Sequence, residues 1–406
     1  MARRPPRART TILIAAALAT LTTPLLGPST APPPPDAAPP ARVLSRYETS
    51  APGNHIDRDC GYSAPQPGTR RQALWLFCDS AWTGTDRGLW FGATAATGPY
   101  RPGRVPTSLT ELPPPPAPPS DTPAPHPPRG MLHTPPGIVL PTTSHQPTPQ
   151  QTPQNTPQPA TIPCRIPGNA YSASWISGVT AIPGTDTLLI TYIDVCVHGT
   201  TISNQAFGLV QYRPATNALG PQSRVFTTPT GLPFQHALGS PVITGGHLYL
   251  YGSTCDTQAF GACATGRVTL ARVPARPHAW TDPAAYRWRT AHGWTPDPAQ
   301  AATLLPGAAP IAVHAADYTT TGNGYALIEQ RTLGGDFQIW RAPHPTGPWK
   351  PLRRGRMPCG GQSGVNLCRA YIGHPELSTR RDLLVSYYNP ADGHISVRAV
   401  PWREGP

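Results

Sequence analysis

Short runs of apolar and aromatic residues, bounded by turn residues, recur along this chain. Four of them are residues 74–77 (LWLF), 187–192 (TLLITY), 247–251 (HLYLY) and 383–388 (LLVSYY). Runs of this length and composition are typical of β-strands. Their continuous apolar character indicates sheets that are covered on both faces, and no helical periodicity separates them.

A longer phrase repeats around such strands: a β-rich run, a turn with Pro or Gly, and usually an aromatic residue. Its five copies occupy residues 89–100, 208–214, 268–280, 338–349 and 395–402, and the last four begin about 57 to 70 residues apart. That spacing is long enough for one four-stranded sheet per copy, as in a β-propeller. The sequence therefore predicts an all-β protein, a five-bladed β-propeller. The alternative is a β-sandwich with coincidental turn sequences.

The first 41 residues are predicted to be a signal peptide and lead-in. Four arginines between positions 3 and 9 precede a mostly apolar run at residues 11–26, which is short for a membrane span. We expect general secretion, with a retained anchor as the competing interpretation. No later segment has eighteen continuous apolar residues, so stable membrane insertion is not expected. Residues 42–406 are left for the propeller, with 42–50 as a linker or lead-in.

One stretch interrupts the strand pattern. Residues 112–163 are rich in Pro, Thr, Gln and Ser and contain three copies of a Thr-Pro-Gln phrase between positions 148 and 158. Such a composition cannot bury enough apolar surface to pack. We predict a Pro-rich disordered insert between the first and second blades, with residues 137–140 as the part that could touch the body of the protein.

The chain has eight cysteines, and none forms a C-x-x-C motif. Zinc ribbons and dithiol redox chemistry are therefore poorly supported, whereas an even number in an exported chain favours disulfides. We predict one bridge within each of four blades, while other connectivities stay open. The predicted pairs are Cys60–Cys78, Cys164–Cys196, Cys255–Cys263 and Cys359–Cys368.

The charge is basic and comes almost entirely from arginine. Lys and Arg number 32 against 20 Asp and Glu, and Lys350 is the only lysine. No arginine-rich helix or aromatic pattern indicates a nucleic-acid partner. The excess reflects either coding bias or attraction to an anionic surface such as a cell-wall polymer.

Carboxylates of the first predicted blade are the strongest candidates for chemistry. Asp57 and Asp59 share one face of a strand because side chains alternate with a period of two. Asp79 ends the apolar run at residues 74–77, and a Cys60–Cys78 bridge would hold Asp59 near Asp79. Two carboxylates at one cavity are what glycosidic cleavage requires. Alternatively, these aspartates cap turns or pair with Arg58.

Other polar and aromatic residues are candidates for the mouth of the central channel. Glu376 and His374 share a face just before a strand, and Asp194 ends an apolar strand much as Asp79 does. A structural role competes with each of these assignments. The remaining candidates for substrate binding are His236, His314 and Trp175, the last also read as a buried aromatic.

Several other chemistries are not supported by any motif. The sequence lacks a G-x-S-x-G elbow, a P-loop, a dinucleotide fingerprint and an H-E-x-x-H motif. We expect no cofactor and predict no metal site, although a channel cation such as calcium stays open.

Four motifs together resemble a known family. They are Arg58-Asp59-Cys60-Gly61-Tyr62-Ser63, Leu74-Trp75-Leu76-Phe77-Cys78-Asp79-Ser80, the Gly-Pro-Trp turn at 347–349 and His374-Pro375-Glu376-Leu377-Ser378. The chain is similar to secreted actinobacterial propellers, largely of unknown function, that include endo-D-arabinanases, themselves related to arabinanases and fructosidases.

The resemblance implies a five-bladed propeller and places the family's acidic pair on Asp59 and Asp79. The family usually reads Phe-Gly-Asp-Thr around the second aspartate, whereas this chain reads Phe77-Cys78-Asp79-Ser80. The Cys78 side chain therefore stands where the family has none, next to the implied site, where it could narrow the pocket or remove activity.

Residues and resemblance together predict a secreted or extracellular monomer, and its association with the cell wall stays open. Its expected activity is hydrolysis of a furanoside, arabinan-like polysaccharide by Asp59 and Asp79, with Glu376 and His374 positioning substrate or tuning pKa. The rival is a non-catalytic extracellular propeller that binds glycans or proteins, in which the aspartates are structural.

Overall fold

The structure of the protein is a computed structural model, and all the residues it describes lie within the unit Ala37–Pro406. The described residues are 43–46, 48–49, 56–69, 71–82, 89–90, 92–106, 108–113, 131–132, 170–198, 201–227, 237–259, 262–308, 310–359, 368–389 and 394–403.

The first blade lies near the start of the described chain. Its sheet runs outward from the channel in the order β3-β4-β6-β7-β2, and β5 also pairs with β4. The strands up to this point are β1 (Val43–Arg46), β2 (Glu48–Thr49), β3 (Ile56–Pro65), β4 (Gln72–Trp82), β5 (Leu89–Trp90), β6 (Thr94–Pro99) and β7 (Ser108–Glu111).

The second and third blades each have five strands. The second contains β8 (Ala170–Ala181), β9 (Leu188–His198), β10 (Thr201–Arg213), β11 (Ala218–Leu219) and β12 (Ser223–Thr227). The third contains β13 (Ala237–Thr244), β14 (His247–Ala259), β15 (Ala262–Pro274), β16 (Arg287–Arg289) and β17 (Trp294–Thr295). A two-residue turn with positive φ at Gly245 and Gly246 joins β13 to β14, as the sequence predicts for a tight hairpin.

The fourth and fifth blades complete the ring. The fourth contains β18 (Ala312–Asp317), β19 (Tyr325–Gln330), β20 (Asp336–Ala342) and β21 (Lys350–Arg356), and the fifth contains β22 (Arg369–Gly373), β23 (Asp382–Asn389) and β24 (His394–Pro401). Helical segments of three or four residues are Pro214–Thr216, α1 (Pro277–Trp280), Pro283–Ala285, Pro298–Gln300 and Thr319–Thr321.

The result is the predicted five-bladed β-propeller. The repeated phrase of the sequence marks the third strand from the channel in each blade, namely β6, β10, β15, β20 and β24. The innermost strands β3, β8, β13, β18 and β22 contact one another in sequence, and β22 returns to β3. The ring is therefore closed around a shared axis.

Each junction between neighbouring blades is filled by a separate apolar cluster. Leu76 and Tyr192 belong to the cluster between blades one and two, for example, and Trp75 packs with Leu384 and Val397 between blades one and five. Three further clusters fill the remaining junctions. A core divided in this way explains how about 340 residues form one body.

Two segments differ from the sequence-based expectation. Residues 43–46, expected to be a lead-in, form β1, which pairs with β24 and completes the fifth blade. A four-residue strand at the edge of a sheet is too short to show a sequence pattern of its own. Its pairing depends on a partner at the other end of the chain. Within the predicted insert, Met131 and Leu132 are buried in the cluster between blades one and two. Residues 137–140 lie outside the described residues.

Four of the five innermost strands contain a register irregularity. It occurs around Cys60 in β3, before Gly178 in β8, after Gly239 in β13 and after Arg369 in β22, whereas β18 pairs without interruption. Cys60, Ser240 and Ala370 adopt positive φ at these places, which is unusual for residues other than glycine. The bulges break the strict alternation of side chains toward and away from the channel.

Candidate functional site

The structure brings Asp59 and Asp79 together at the inner edge of the first blade. Asp59 lies in β3 and Asp79 in the neighbouring β4, and the backbone N–H of Asp79 donates to Oδ1 of Asp59 at 3.2 Å. The predicted Cys60–Cys78 disulfide is present and joins the residues directly next to the two aspartates. The extra side chain at Cys78 is thus bonded to sulfur and helps to hold the strands side by side.

A bulge in β3 determines where Asp59 lies. Arg58 pairs with Ser80 but Cys60 pairs with Phe77, so β4 has one more residue than β3 across this interval. Cys60 and Gly61 have φ values of 69° and 98°, and a Cβ on Gly61 would lie 3.1 Å from the Ile395 side chain. Glycine is therefore required at this point, because a side chain would be both strained and crowded.

Arg369, which sequence reasoning missed, is the charge partner of Asp59. Its Nε donates to Oδ2 of Asp59 at 3.1 Å, and its guanidinium lies 3.8 Å from the centre of the Tyr388 ring. The Arg369 side chain is 44% exposed and that of Asp59 17% exposed. Burial favours the neutral guanidine, but the neighbouring Asp59 and Tyr388 outweigh it and raise the pKa of Arg369. The available signal was its position directly after Cys368, at the start of an inner strand.

Arg58 does not pair with the side chain of Asp59, the one carboxylate next to it in sequence whose side chain the structure describes. It forms an ion pair with Glu111 at 3.0 Å and lies 4.1 Å from the centre of the Phe77 ring. Burial lowers the pKa of Arg58, although Glu111 acts in the opposite direction. Asp79 is only 7% exposed, so the acidic pair combines one accessible and one largely buried carboxyl group.

A second polar cluster joins Ser63 of the first blade to His374 and Glu376 of the fifth. Ser63 Oγ donates to Glu376 Oε1 and lies 2.5 Å from His374 Nδ1. The side chains of His374 and Glu376 are 0% and 2% exposed, and the His374 ring packs 5.0 Å from Trp75. Nε2 of His374 is buried without a hydrogen-bond partner among the described residues.

Burial determines the protonation of this cluster. It raises the pKa of Glu376 to about 7, although the hydrogen bond from Ser63 opposes the shift. It also lowers the pKa of His374 to about 3, and His314 contributes to that shift. The His374 imidazole is therefore neutral at physiological pH, whereas Glu376 changes its protonation state near physiological pH.

The two clusters lie at different heights in the propeller. Asp59 and Arg369 meet near the start of β3 and β22, whereas Ser63 and His374 meet near or just past the end of these strands. Four residues separate Asp59 from Ser63, and an ideal strand of that length spans roughly 13 Å, less where it bulges. The structure thus does not bring Glu376 and His374 to the acidic pair.

His314 lies between the clusters as a buried acceptor. Its Nδ1 accepts a hydrogen bond from the backbone N–H of Gly373 at 3.2 Å, and its ring packs 5.7 Å from Tyr62. Burial lowers the pKa of His314 to about 3. Burial and the nearby Asp59 raise the pKa of Tyr62. Both rings are therefore neutral groups under ordinary conditions.

Asp194 lies in a separate ion pair within the second blade. It accepts hydrogen bonds from Ser174 Oγ at 2.6 Å and from Nε of Arg224. Burial raises the pKa of Asp194, whereas Arg224 and Ser174 oppose the shift. Trp175 is partly buried and packs against the cluster between blades one and two.

The remaining candidates are only partly described. Asp57 pairs through its backbone with Ala81, but its side chain lies outside the described residues, and so does His236. The predicted Cys359–Cys368 disulfide is present. Cys164 and the side chains of Cys255 and Cys263 lie outside the described residues, so the Cys164–Cys196 and Cys255–Cys263 pairs stay predictions.

One group of described residues has ligand-type atoms close enough to share a metal ion. It contains Asp59, Cys60 and Cys78. Both sulfur atoms are bonded to each other, which removes the thiolates that would bind a metal. Asp59 is then the one ionisable donor of this group, too few for a protein-built site.

Comparison with known proteins identifies the fold more clearly than the activity. Residues 215–397 match a family model described as a domain of unknown function, DUF5005. The match spans somewhat less than half of the chain and includes Arg369, His374 and Glu376, but not Asp59 and Asp79. No curated protein matches the sequence.

Solved structures provide broader similarity. A candidate hydrolase from Bacteroides ovatus is 15% identical with a TM-score of 0.55, covering 85% of this chain and 86% of that one. An exo-β-1,3-galactanase from Phanerochaete chrysosporium (11%, TM-score 0.46) covers 88% of this chain, which spans 62% of that enzyme. A family 117 glycoside hydrolase from Zobellia galactanivorans is 9% identical with a TM-score of 0.43, and the match covers 88% of this chain and 89% of that one. At these identities the similarity shows the propeller fold alone.

The described part of the chain contains no helix that is long and apolar enough to cross a membrane.

Proposed function

We propose that this protein is a secreted glycoside hydrolase that cleaves a furanoside, arabinan-like polysaccharide of a bacterial cell wall. The observation that supports the proposal is the hydrogen bond from the backbone N–H of Asp79 to Oδ1 of Asp59, which brings the two residues side by side on the neighbouring strands β3 and β4. Glycosidases use such a pair, one group as proton donor and the other as base or nucleophile. The sugar class comes from the family resemblance of the sequence.

The contacts of the two aspartates suggest different roles. Asp59 is partly exposed and has the positive charge of Arg369 at 3.1 Å, which suits a group that acts in its ionised form. Asp79 is nearly buried, which suits a group that supplies a proton from a low-dielectric site. Glu376 and His374 are inaccessible and four or more residues further along, so we assign them a supporting role in the fold beneath the site.

Release of oligosaccharides from purified arabinan tests the proposal. We expect wild type to release fragments and Asp59→Asn and Asp79→Asn to lose roughly 100- to 10,000-fold in rate, the usual effect of an acid or base. Asp186→Asn is a matched control, because Asp186 is an exposed turn residue paired with Arg213. Asp79→Asn with wild-type activity would contradict the assignment.

The Asp59–Arg369 ion pair also supports a second candidate, a non-catalytic propeller that binds glycans or proteins outside the cell. In that case the Asp59–Arg369 ion pair holds blades one and five together, and the burial of Asp79 is structural. Binding to the same polysaccharides without release of fragments, unchanged in Asp79→Asn, would favour this function.

Export is part of the same proposal. The Cys60–Cys78 and Cys359–Cys368 disulfides are typical of an oxidising compartment, and the N-terminal 41 residues have the pattern of a secretion signal. Expression of the full chain in an actinobacterial host should place the protein in the medium or cell-wall fraction. N-terminal sequencing of that protein would locate the cleavage.

A further inference from the structure

We propose that the outer strand of the fourth blade is a docking site for a linear anionic polysaccharide. The strand, β21, contains Lys350, Arg353, Arg354 and Arg356 within seven residues and no acidic residue. Together with Arg341, which pairs with Lys350 across the neighbouring strand, these five residues define the basic strip. The proposal is independent of whether Asp59 and Asp79 are catalytic.

Four of the five cations of the basic strip face outward. Lys350, Arg354, Arg356 and Arg341 are exposed, and β21 is the outermost strand of its sheet. Asp336, across the sheet, lies 3.7 Å from Arg356 and neutralises it in part. Lys350, Arg354 and Arg341 have no acidic partner among the described residues. The strip therefore has a local excess of positive charge.

Both sides of the strand contribute to this charge. Arg354 and Arg356 are paired with Gln338 and Asp336, so they project on one side, whereas Arg353 projects on the other and reaches the carbonyl of Pro401 at 3.5 Å. Two residues of an extended strand span roughly 7 Å, so Arg354 and Arg356 present two charges about that far apart along the line of the strand. A linear polymer with a negative charge on each repeat is complementary to such a line.

Exposed charges on an edge strand also prevent sheets from pairing, and that explanation needs no ligand. It does not account for Gln338, which is 1% exposed and fixes Arg354. Oε1 of Gln338 accepts a hydrogen bond from Nε of Arg354 at 2.9 Å, while its Nε2 donates to the carbonyls of Ile339 and Arg353. The guanidinium is held through Nε, so its two terminal amino groups point away for a bidentate contact.

Carboxylate and phosphate groups both match that bidentate geometry. The planar guanidinium matches the planar carboxylate most directly, so the proposed ligand is a polyuronate, and a phosphate polymer is the alternative that the test separates. Either polymer would keep the proposed hydrolase close to a charged cell wall without occupying the channel.

Binding of the full chain to polygalacturonate, inorganic polyphosphate and neutral dextran tests the proposal. We expect polygalacturonate to bind more tightly than polyphosphate, with an affinity that falls steeply with salt, and dextran not to bind. The double variant Lys350→Gln, Arg354→Gln should lose roughly 20-fold in affinity and reduce the salt slope by about 2. Which polymer binds more tightly identifies the anionic group.

The matched control removes the same charge elsewhere. Arg380 and Arg381 are adjacent exposed arginines of the fifth blade, and Arg380→Gln, Arg381→Gln should retain nearly full affinity. The single variant Lys350→Gln should lose roughly 4-fold in affinity. Because the Lys350 side chain is exposed, this variant still tests the proposal if the double variant misfolds. Equal losses in both double variants, or no binding of either anionic polymer by wild type, would overturn the proposal.

Discussion

Nε of Arg369, at the start of the innermost strand of the fifth blade, lies 3.1 Å from Oδ2 of Asp59, in the innermost strand of the first. The contact joins residues 310 positions apart, at the junction where the propeller closes. It also places a planar cation over Tyr388 beside the proposed reaction site. One side chain thus links the closure of the ring to the acidic pair.

Loss of this pair should destabilise the protein modestly. Arg369→Gln is expected to lower the free energy of unfolding by about 1 kcal/mol, because the pair is only partly buried and solvent screens it. Arg369→Lys should be intermediate, since it keeps the charge but loses the planar stack on Tyr388. Urea unfolding at low and high salt measures both effects.

The Arg213–Asp186 pair provides the control for that measurement. Its side chains are 53% and 56% exposed, so Arg213→Gln should change the free energy of unfolding very little. If Arg213→Gln and Arg369→Gln are equally destabilising, the Asp59–Arg369 contact contributes no more to the free energy of unfolding than an exposed ion pair does.

The Cys60–Cys78 disulfide should stabilise the fold and maintain the acidic pair. It closes a loop of 18 residues, and the Cys359–Cys368 bridge closes one of 9. On the loop-entropy estimate, replacing either pair by serine costs about 3 kcal/mol, slightly more for the longer loop. Thermal unfolding of the two double variants measures these costs.

Activity should separate the two disulfides. The first joins the neighbours of Asp59 and Asp79, whereas the second lies at the start of β22 and in the segment after β21. Below its unfolding temperature, Cys60→Ser, Cys78→Ser should lose hydrolysis more strongly than Cys359→Ser, Cys368→Ser. Full activity of the first variant would mean that backbone pairing alone positions the aspartates.

The fold was predictable because its signals are local and repeated. The third strand of each blade has the same turn chemistry, and two short Cys loops indicated their own disulfides. The proximity of Asp59 and Asp79 followed from the Cys60–Cys78 bridge between adjacent strands. The two disulfides and the acidic pair each join residues no more than 20 positions apart.

The remaining features depend on distant contacts or on bulges. Arg369 reaches Asp59, and Ser63 reaches His374, only because the ring closes. A non-glycine residue with positive φ, such as Cys60, has no sequence signal, yet it marks the place where the register between Arg58 and Tyr62 is interrupted. The alternation of side chains along a strand therefore predicts the position of Asp59 well, but it cannot predict the position of Glu376 relative to Asp59.

The bulge in β22 predicts a stabilising substitution. Ala370 has φ of 57°, where a Cβ is strained, so Ala370→Gly should raise the free energy of unfolding by up to about 1 kcal/mol. Ala316 is the control: it is also partly buried, and it lies in β18, which has no bulge. Ala316→Gly should instead destabilise by about 1 kcal/mol, because glycine weakens a regular strand. Urea unfolding that shows the same sign for both would contradict the strain argument.

Protonation of Glu376 should make stability depend on pH in a particular direction. Burial raises its pKa from 4.5 to about 7, so the folded protein holds this proton more tightly than the unfolded chain. The stabilisation is complete below pH 4.5 and is lost as the pH rises to about 7. Glu376→Gln keeps the shape of the protonated acid but does not titrate. Relative to wild type, it should gain up to about 1.4 kcal/mol per pH unit across this window.

His314→Asn supplies a control of opposite sign. The pKa of His314 is lowered from 6.5 to about 3, so its contribution is present above pH 6.5 and is lost as the pH falls toward 3. Asparagine can still accept from the backbone of Gly373 but cannot take up a proton. This variant should therefore gain on wild type as the pH falls, whereas Glu376→Gln gains as it rises. Urea unfolding between pH 4 and 8 distinguishes the two. A pH-independent difference between Glu376→Gln and wild type would show that Glu376 has the same proton affinity in the folded and unfolded chains.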